Sequence, residues 1–306
     1  MRLIFMGTPD FAVTALDRIL ASEHDVLAVV TVPDKPGGRG LKLVPAPVKT
    51  FAIQHQLPVF QPESLKNAEF LSAMRALKPD LFVVVAFRIL PEILFSLPPK
   101  GTINLHGSLL PKYRGAAPIQ WSLLNGDSET GVTTFFIQKQ VDTGNILMKS
   151  SLKVDPDETF GELHDRMAVL GADTLLKTID GIGLNRLVPK QQDDSGATTA
   201  PKISPEMLLV DFNKDARTVH NQIRAFSPKP GAYSFLNGHR VKLLKSHLSE
   251  QIGPVGEIIS RTNSSLTIAC GSGSVEITEI QPEGKRSMTI QSFLAGNPLP
   301  LGVRFG

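Results

Sequence analysis

Short apolar runs alternate with helix-periodic segments through the first hundred residues, and that alternation leaves few folds open. Leu3 to Met6 reads as a buried strand and Val26 to Val32 as a second. Between them, Asp10 to Leu20 reads as a helix with Phe11, Ala12, Ala15, Leu16 and Ile19 along one side. A helix around Val48 to His55, the short strand Val59-Phe60, a helix from Ala68 to Leu77 and the strand Leu81 to Val85 continue the pattern. Parallel strands need a crossover connection, and a helix supplies it, so the expectation is an α/β fold with a Rossmann-like, mostly parallel sheet. The first turn, Gly7-Thr8-Pro9-Asp10, lacks the G-x-G-x-x-G pattern, and Pro9 removes a backbone donor that a pyrophosphate cradle would use. A dinucleotide such as NAD is therefore not expected.

The next strand carries chemistry. In Thr102-Ile103-Asn104-Leu105-His106-Gly107 the period of two sends Asn104 and His106 to one face and Ile103 and Leu105 to the other. Gly107 and Pro111 end the strand, which places the polar pair at a carboxyl edge, where open α/β sheets bind ligands. Asp142, in Val141-Asp142-Thr143-Gly144 beyond the apolar run Thr133 to Ile137, is the candidate carboxylate. Accepting from one ring nitrogen of His106, it would fix the tautomer and leave the second nitrogen facing substrate. An amide, an imidazole and a carboxylate suit acyl transfer, with Asn104 and His106 donating to an oxyanion and Asp142 assisting proton removal. Ser108 lies two residues from His106, so a Ser-His hydrolase stays open on the residues alone, as does a satisfied polar pair with no catalytic role.

Downstream, Thr159 to Ile179 reads as a long helix. A stretch rich in Gly, Pro, Asp, Gln, Ser and Thr follows and reads as a connector. The expected organisation is a catalytic domain over 1–188, a linker over 189–205 and a second domain over 206–306. In the second domain a helix from Asp215 to Phe226 leads into short strands around Ala232-Leu236, Val241-Leu244, Gly256-Ile259, Leu266-Ala269 and Val275-Ile280, spaced as in a small OB-like β-barrel. The lone cysteine, Cys270, makes no internal disulfide and suits a reducing compartment. The start of the chain shows no signal peptide, and no apolar run approaches the roughly 18 residues of a membrane span, so a soluble, cytoplasmic protein with no membrane association is expected; a monomer is expected as well. The scattered histidines have no second ligand at metal spacing, and no metal is expected.

The run from Asn104 through Gly107-Ser108-Leu109-Leu110-Pro111-Lys112-Tyr113-Arg114-Gly115-Ala116-Ala117-Pro118, followed by Asp142-Thr143-Gly144, resembles the formyltransferases that take 10-formyltetrahydrofolate as donor. Phe5-Met6-Gly7-Thr8-Pro9-Asp10-Phe11-Ala12, Pro33-Asp34-Lys35-Pro36-Gly37-Gly38-Arg39-Gly40 and Pro45-Ala46-Pro47-Val48-Lys49 are similar to the branch that acts on initiator methionyl-tRNA. Ala200-Pro201-Lys202-Ile203-Ser204 and Arg224-Ala225-Phe226-Ser227-Pro228 extend the likeness over nearly the whole chain. The resemblance implies Asn104, His106 and Asp142 as catalytic residues. It also implies a folate site drawn from Phe87, Arg88, Leu90, Ser108, Leu109, Leu110 and Pro111. Two departures stand out. Within Val83 to Pro91, the stretch Ala86-Phe87-Arg88-Ile89-Leu90-Pro91 is one residue shorter than the family's commoner Ala-Tyr-Gly-x-Ile-Leu-Pro pattern, and Lys229 occupies a position where many members have Trp.

Charge bears on the acceptor. Residues 206–306 hold 11 Lys+Arg against 8 Asp+Glu, so the excess of +3 lies there, as a partner with a phosphate backbone would favour. In the Gly/Pro-rich segment after the second strand, Lys35, Arg39, Lys42 and Lys49 face only Asp34. A solvated loop is one reading. The family resemblance implies the other, contact with the tRNA acceptor stem, with Arg39 and Lys42 foremost. Sugar-nucleotide and glycinamide-ribonucleotide formyltransferases, a formyltetrahydrofolate hydrolase and a non-catalytic tRNA-binding module would share parts of this pattern.

Overall fold

The first strand, β1 (Arg2–Gly7), starts at exposed Arg2 and buries Leu3 to Met6 completely. Helix α1 (Asp10–Leu20) opens with Pro9 in extended backbone and Asp10 in its first turn, and buries the five apolar residues its spacing aligns. The structure is a computed structural model that describes residues 1–37 and 42–306, with Lys42 entering through its backbone alone. Next in order come β2 (Asp25–Val30), β3 (Lys35–Gly37), β4 (Lys42–Val44), α2 (Pro47–Gln54), β5 (Val59–Phe60), α3 (Ala68–Ala76), β6 (Leu81–Val85), α4 (Glu92–Phe95) and β7 (Thr102–His106). The Asn67 side chain caps α3 by accepting from Phe70 N. Beyond β7 lie β8 (Arg114–Gly115), α5 (Pro118–Leu124), β9 (Glu129–Phe136), β10 (Ile146–Lys153), α6 (Phe160–Gly183) and β11 (Thr199–Ala200).

The main sheet runs β10-β9-β7-β6-β1-β2-β5. The pairs β1/β2, β1/β6, β2/β5 and β6/β7 are parallel, and β9 joins β7 antiparallel. The mostly parallel sheet expected from the alternation is present. Ile4, Met6, Val30, Phe70, Met74, Phe82 and Leu94 form one core beneath it. Parallel strands covered by helices have no solvated face, which is why β1 and β6 read as unbroken apolar runs.

The later part contains α7 (Ala216–Phe226), β12 (Ala232–Leu236), β13 (His239–Ser249), β14 (Ile258–Arg261), β15 (Leu266–Ala269), β16 (Ser274–Pro282), β17 (Met288–Thr289) and α8 (Ile290–Gly296). These strands form an antiparallel sheet in the order β12-β13-β16-β15-β14, with β17 added on β16. The antiparallel strands expected of an OB-like unit are present, although among the described residues β12 and β14 do not pair with each other directly. Instead the C-terminal tail lies between those edges. Ile258 N donates to Val303 O, Phe305 N to Gly256 O and Gly306 N to Phe235 O.

Packing divides the chain into two compact units that are discontinuous in sequence. The first holds Met1–Pro118, Gly131–Leu152 and Asp165–Ala200; the second holds Ile119–Thr130, Lys153–His164 and Pro201–Gly306. A linker over 189–205 is therefore not what most of that stretch forms. Lys190 exchanges backbone hydrogen bonds with Ile146, and β11 pairs with β8, so residues up to Ala200 belong to the first unit. Gly and polar content marked an irregular segment correctly but carried no signal that it docks. No described helix is long and apolar enough to cross a membrane.

Candidate active site

Strand β7 delivers Asn104 and His106 to the carboxyl end of the sheet, where Asn104 lies opposite Val84 on β6 and Phe135 on β9. Asn104 is half-buried, and no hydrogen bond ties its amide to another described residue. His106 is 6% exposed, with the Phe135 ring edge-on at 6.5 Å. Its Nε2 lies 2.8 Å from the Tyr113 carbonyl oxygen. A carbonyl only accepts, so Nε2 carries the proton and donates, and Nδ1 is the nitrogen left to face the site.

Asp142 approaches from the loop between β9 and β10. Its Oδ2 accepts from Gly115 N at 2.8 Å and stands 3.9 Å from His106 Nδ1. The expected trio thus converges, with one correction to its wiring. The second ring nitrogen does not face substrate, because the Tyr113 carbonyl occupies it. The Asp142–His106 separation is an ion-pair distance rather than a hydrogen bond, and a donor placed between Nδ1 and Oδ2 reaches both. Asp142 (φ 55°), Tyr113 (φ 61°) and Ala86 (φ 47°) all adopt left-handed backbone next to the site. Such conformations cost non-glycine residues about 1–3 kcal/mol each and persist where surrounding structure imposes them. Gly144 serves the same loop through its size, since a Cβ there would collide with the Phe136 carbonyl oxygen.

Loop residues 107–112 are shaped by Thr133, which is fully buried opposite His106. Its hydroxyl accepts from Leu110 N (3.0 Å) and donates to Ser108 O (2.7 Å). The Ser108 hydroxyl donates to Lys112 O at 2.6 Å and is itself fully buried, so it shapes the loop and is no nucleophile. Of the residues assigned to folate, Leu110 is fully buried and Leu90 is part of the core with Met6, Val84 and Leu94. Arg88 donates to Glu63 O (3.0 Å) and Pro62 O (2.8 Å) and stacks over Phe87 at 5.3 Å, and burial pushes its pKa down. It therefore braces the edge of the sheet. Phe87, Leu109 and Pro111 remain half-buried.

The described parts of the basic insertion pair as two short antiparallel strands, with Lys35 opposite Val44 and Gly37 opposite Lys42. Lys35 is exposed, whereas Arg39 lies outside the described residues. Lys49 does not serve as a free cation: its Nζ donates to Asp34 Oδ2 at 2.6 Å, and Gln61 Nε2 donates to Asp34 Oδ1 at 2.8 Å. Those two donors hold the Asp34 carboxyl below its ordinary range. Four residues that organise the site drew no role from the sequence. Tyr113 and Gly115 act through backbone groups, Thr133 through a buried hydroxyl, and Gln192 through contacts to residues 50 positions away. For none of them does side-chain type or spacing announce the task. Among the described residues no group of His, Cys, Asp or Glu is arranged to hold a metal ion.

An open α/β sheet with an amide, an imidazole and a carboxylate gathered at its carboxyl edge, followed by an antiparallel β unit, is the framework of a two-part group-transfer enzyme. Comparison with known proteins narrows this class: the chain belongs to the formyl transferase family. The family model "Formyl transferase" matches residues 1–179, and "Formyl transferase, C-terminal domain" matches residues 202–298. Methionyl-tRNA formyltransferase of Trichlorobacter lovleyi is 48% identical over 99% of this chain and 96% of its own length. Among solved structures, the sugar 3N-formyl transferase WlaRD, crystallised with dTDP and 5-N-formyl-THF, superposes with TM-score 0.69 at 21% identity, over 94% of this chain and 99% of that one. HypX from Aquifex aeolicus in complex with tetrahydrofolic acid gives TM-score 0.68 at 18% identity over 96% of this chain. The chain spans about half of HypX, 47% of its length. These two likenesses concern the fold.

Proposed function

We propose that this protein transfers the formyl group of 10-formyltetrahydrofolate to the α-amino group of methionine carried on initiator methionyl-tRNA, the step that prepares that tRNA for translation initiation. The observation that carries the reading is the placement of Asp142 Oδ2 3.9 Å from His106 Nδ1, on the strand that also carries the unengaged Asn104 amide, in a chain 48% identical to a methionyl-tRNA formyltransferase. The acceptor amine, with a pKa of roughly 8, is partly neutral at cytoplasmic pH and attacks the formyl carbon directly. Asn104 donates to the oxyanion of the tetrahedral intermediate. With Nε2 held by the Tyr113 carbonyl, His106 gives its second donor from Nδ1–H in the imidazolium form. Asp142, steadied by the Gly115 N–H, stabilises that cation and takes up the proton the amine loses. Collapse of the intermediate breaks the bond between the formyl carbon and folate N10, and the proton held by Asp142 passes to N10 as tetrahydrofolate leaves, with no protein nucleophile taking part.

Phe87, Leu109 and Pro111 receive the pterin in this reading, with the backbone of the 107–112 loop beside it. Arg88, Leu90, Ser108 and Leu110 support that wall from behind. Lys35, Arg39 and Lys42 contact the tRNA acceptor stem, and residues 206–306 form the tRNA-binding domain, with their charge excess facing the phosphate backbone. The enzyme acts in the cytoplasm as a monomer. The deciding experiment is transfer of labelled formyl from 10-formyltetrahydrofolate to initiator methionyl-tRNA, elongator methionyl-tRNA and free methionine. Label on the initiator alone is expected. Formate released without any amine, or tight salt-sensitive tRNA binding without transfer, would refute the assignment.

A further inference from the structure

Gln192 is the buried residue in an otherwise exposed run from Leu184 to Thr199 in which only Leu187 and Ala197 are half-buried. A lone amide taken out of water from such a segment is costly unless its groups are paired, and here all are. Nε2 donates to the carbonyl oxygens of Asp142 and Gly144, each at 2.8 Å. Oε1 accepts from Arg114 Nε at 3.2 Å and Nη2 at 2.7 Å. These partners fix which end of the amide is which, since carbonyls require the NH₂ and a guanidinium requires the oxygen.

Together with the bond from Gly115 N to the Asp142 carboxylate, these close a ring. Gln192 holds the Asp142 carbonyl, the Asp142 carboxylate accepts from Gly115 N, Gly115 follows Arg114 in the chain, and the Arg114 guanidinium returns to Gln192. Asp194 Oδ1 accepts from Arg114 Nη2 at 2.6 Å, and β11 pairs with β8 at Arg114 and Gly115, so the ring is anchored on both sides. Holding the carbonyls at both ends of Asp142-Thr143-Gly144 fixes the peptide planes that aim the carboxylate, in a residue whose φ of 55° would otherwise be free to relax.

We propose that Gln192 is a positioning residue for formyl transfer, setting the direction of the Asp142 carboxylate toward His106 Nδ1 without touching substrate. This rests on the reading of Asp142 as a catalytic residue. Gln192→Glu tests it, because the shape and the acceptor toward Arg114 stay while the donor toward residues 142 and 144 is lost; Gln192→Met is the second variant, lacking both polar ends. Misplacing a catalytic group by about 1 Å costs on the order of a hundredfold, so a loss of roughly tenfold to a hundredfold in single-turnover rate is expected, with KM for both substrates within about threefold. The pH profile of that rate shifts as the Asp142–His106 pair is disturbed, which a residue that merely stabilises the fold would not bring about. In an Asp142→Asn background, Gln192→Glu adds little further loss, since both act through one carboxylate. Wild-type turnover in both Gln192 variants, or fully additive losses in the double variant, would overturn the proposal. Wild-type turnover in Asp142→Asn alone would instead remove the catalytic reading itself, and the proposal with it.

Discussion

At the scale of single residues, the site works by denying choices to its polar groups. The Tyr113 carbonyl commits His106 Nε2 as a donor, Gly115 N–H occupies one side of the Asp142 carboxylate, and Thr133 uses both roles of its hydroxyl inside the loop. What stays uncommitted is the Asn104 amide and His106 Nδ1, and with a proton on Nδ1 both donate to an oxyanion. Asn104→Ala and His106→Ala are each expected to lower single-turnover formyl transfer by about a hundredfold or more while the fold survives. Near-wild-type rates in that assay, with unchanged melting, would strip both residues of their roles. His106 and Asp142 sit 36 positions apart in sequence, and no local pattern encodes their approach. The strand alternation told which way His106 points but not which of its nitrogens is taken.

At the scale of elements, helix α7 is the organiser of the second unit. Asp215 caps it by accepting from Thr218 N at 2.9 Å, and one face buries Val219, Ile223 and Phe226. Near its end the buried Arg224 donates to Asn221 Oδ1 (2.9 Å), Glu158 O (3.5 Å) and Leu123 O (3.4 Å), drawing together segments more than 100 residues apart. Burial pushes the Arg224 pKa down, and Asp157 and Glu158 oppose that shift. The bonds to the two carbonyls are long, so each adds little, and removing the partner of all three acceptors together falls mid-range for unpaired buried groups. Arg224→Met should destabilise the protein by about 2 kcal/mol, read from the urea midpoint. A change below about 0.5 kcal/mol would mean that water replaces the guanidinium at no net cost. The Arg224-Ala225-Phe226-Ser227-Pro228 run, which the sequence offered only as a family mark, thus has a structural task.

At the scale of the whole molecule, the same second unit carries a pH dependence. His220 Nε2 donates to Pro156 O at 3.0 Å, its Nδ1 accepts from the Ser246 hydroxyl at 2.8 Å, and Asp157 Oδ1 lies 3.4 Å from Nε2. Both bonds suit the neutral ring. Burial lowers its pKa from 6.5, with the Arg224 and His247 charges adding to that effect and the Pro156 carbonyl and Asp157 opposing it. Below 6.5 the unfolded chain therefore takes up a proton that the folded chain resists, and stability falls as pH falls from that value. Urea unfolding between pH 7 and 5 should show this decline, and His220→Asn should flatten it. An unchanged slope in the variant would assign the dependence to other groups.

Much of this protein was legible in its residue order. Strand and helix periods fixed the mostly parallel sheet and the antiparallel strands that follow, since periodicity is a local consequence of backbone geometry. The same alternation placed Asn104 and His106 on one face at a sheet edge, and the long motif around them indicated the chemistry. Tertiary structure decided the rest. It decided that Gln192, in a stretch that reads as a connector, closes a ring around Asp142; that Lys49 neutralises Asp34 instead of standing free; and that the tail at residues 303–306 lies between the edges of the antiparallel sheet. Each of these turns on which backbone carbonyl or distant side chain a polar group meets, and that pairing exists only once segments far apart in the chain have packed together.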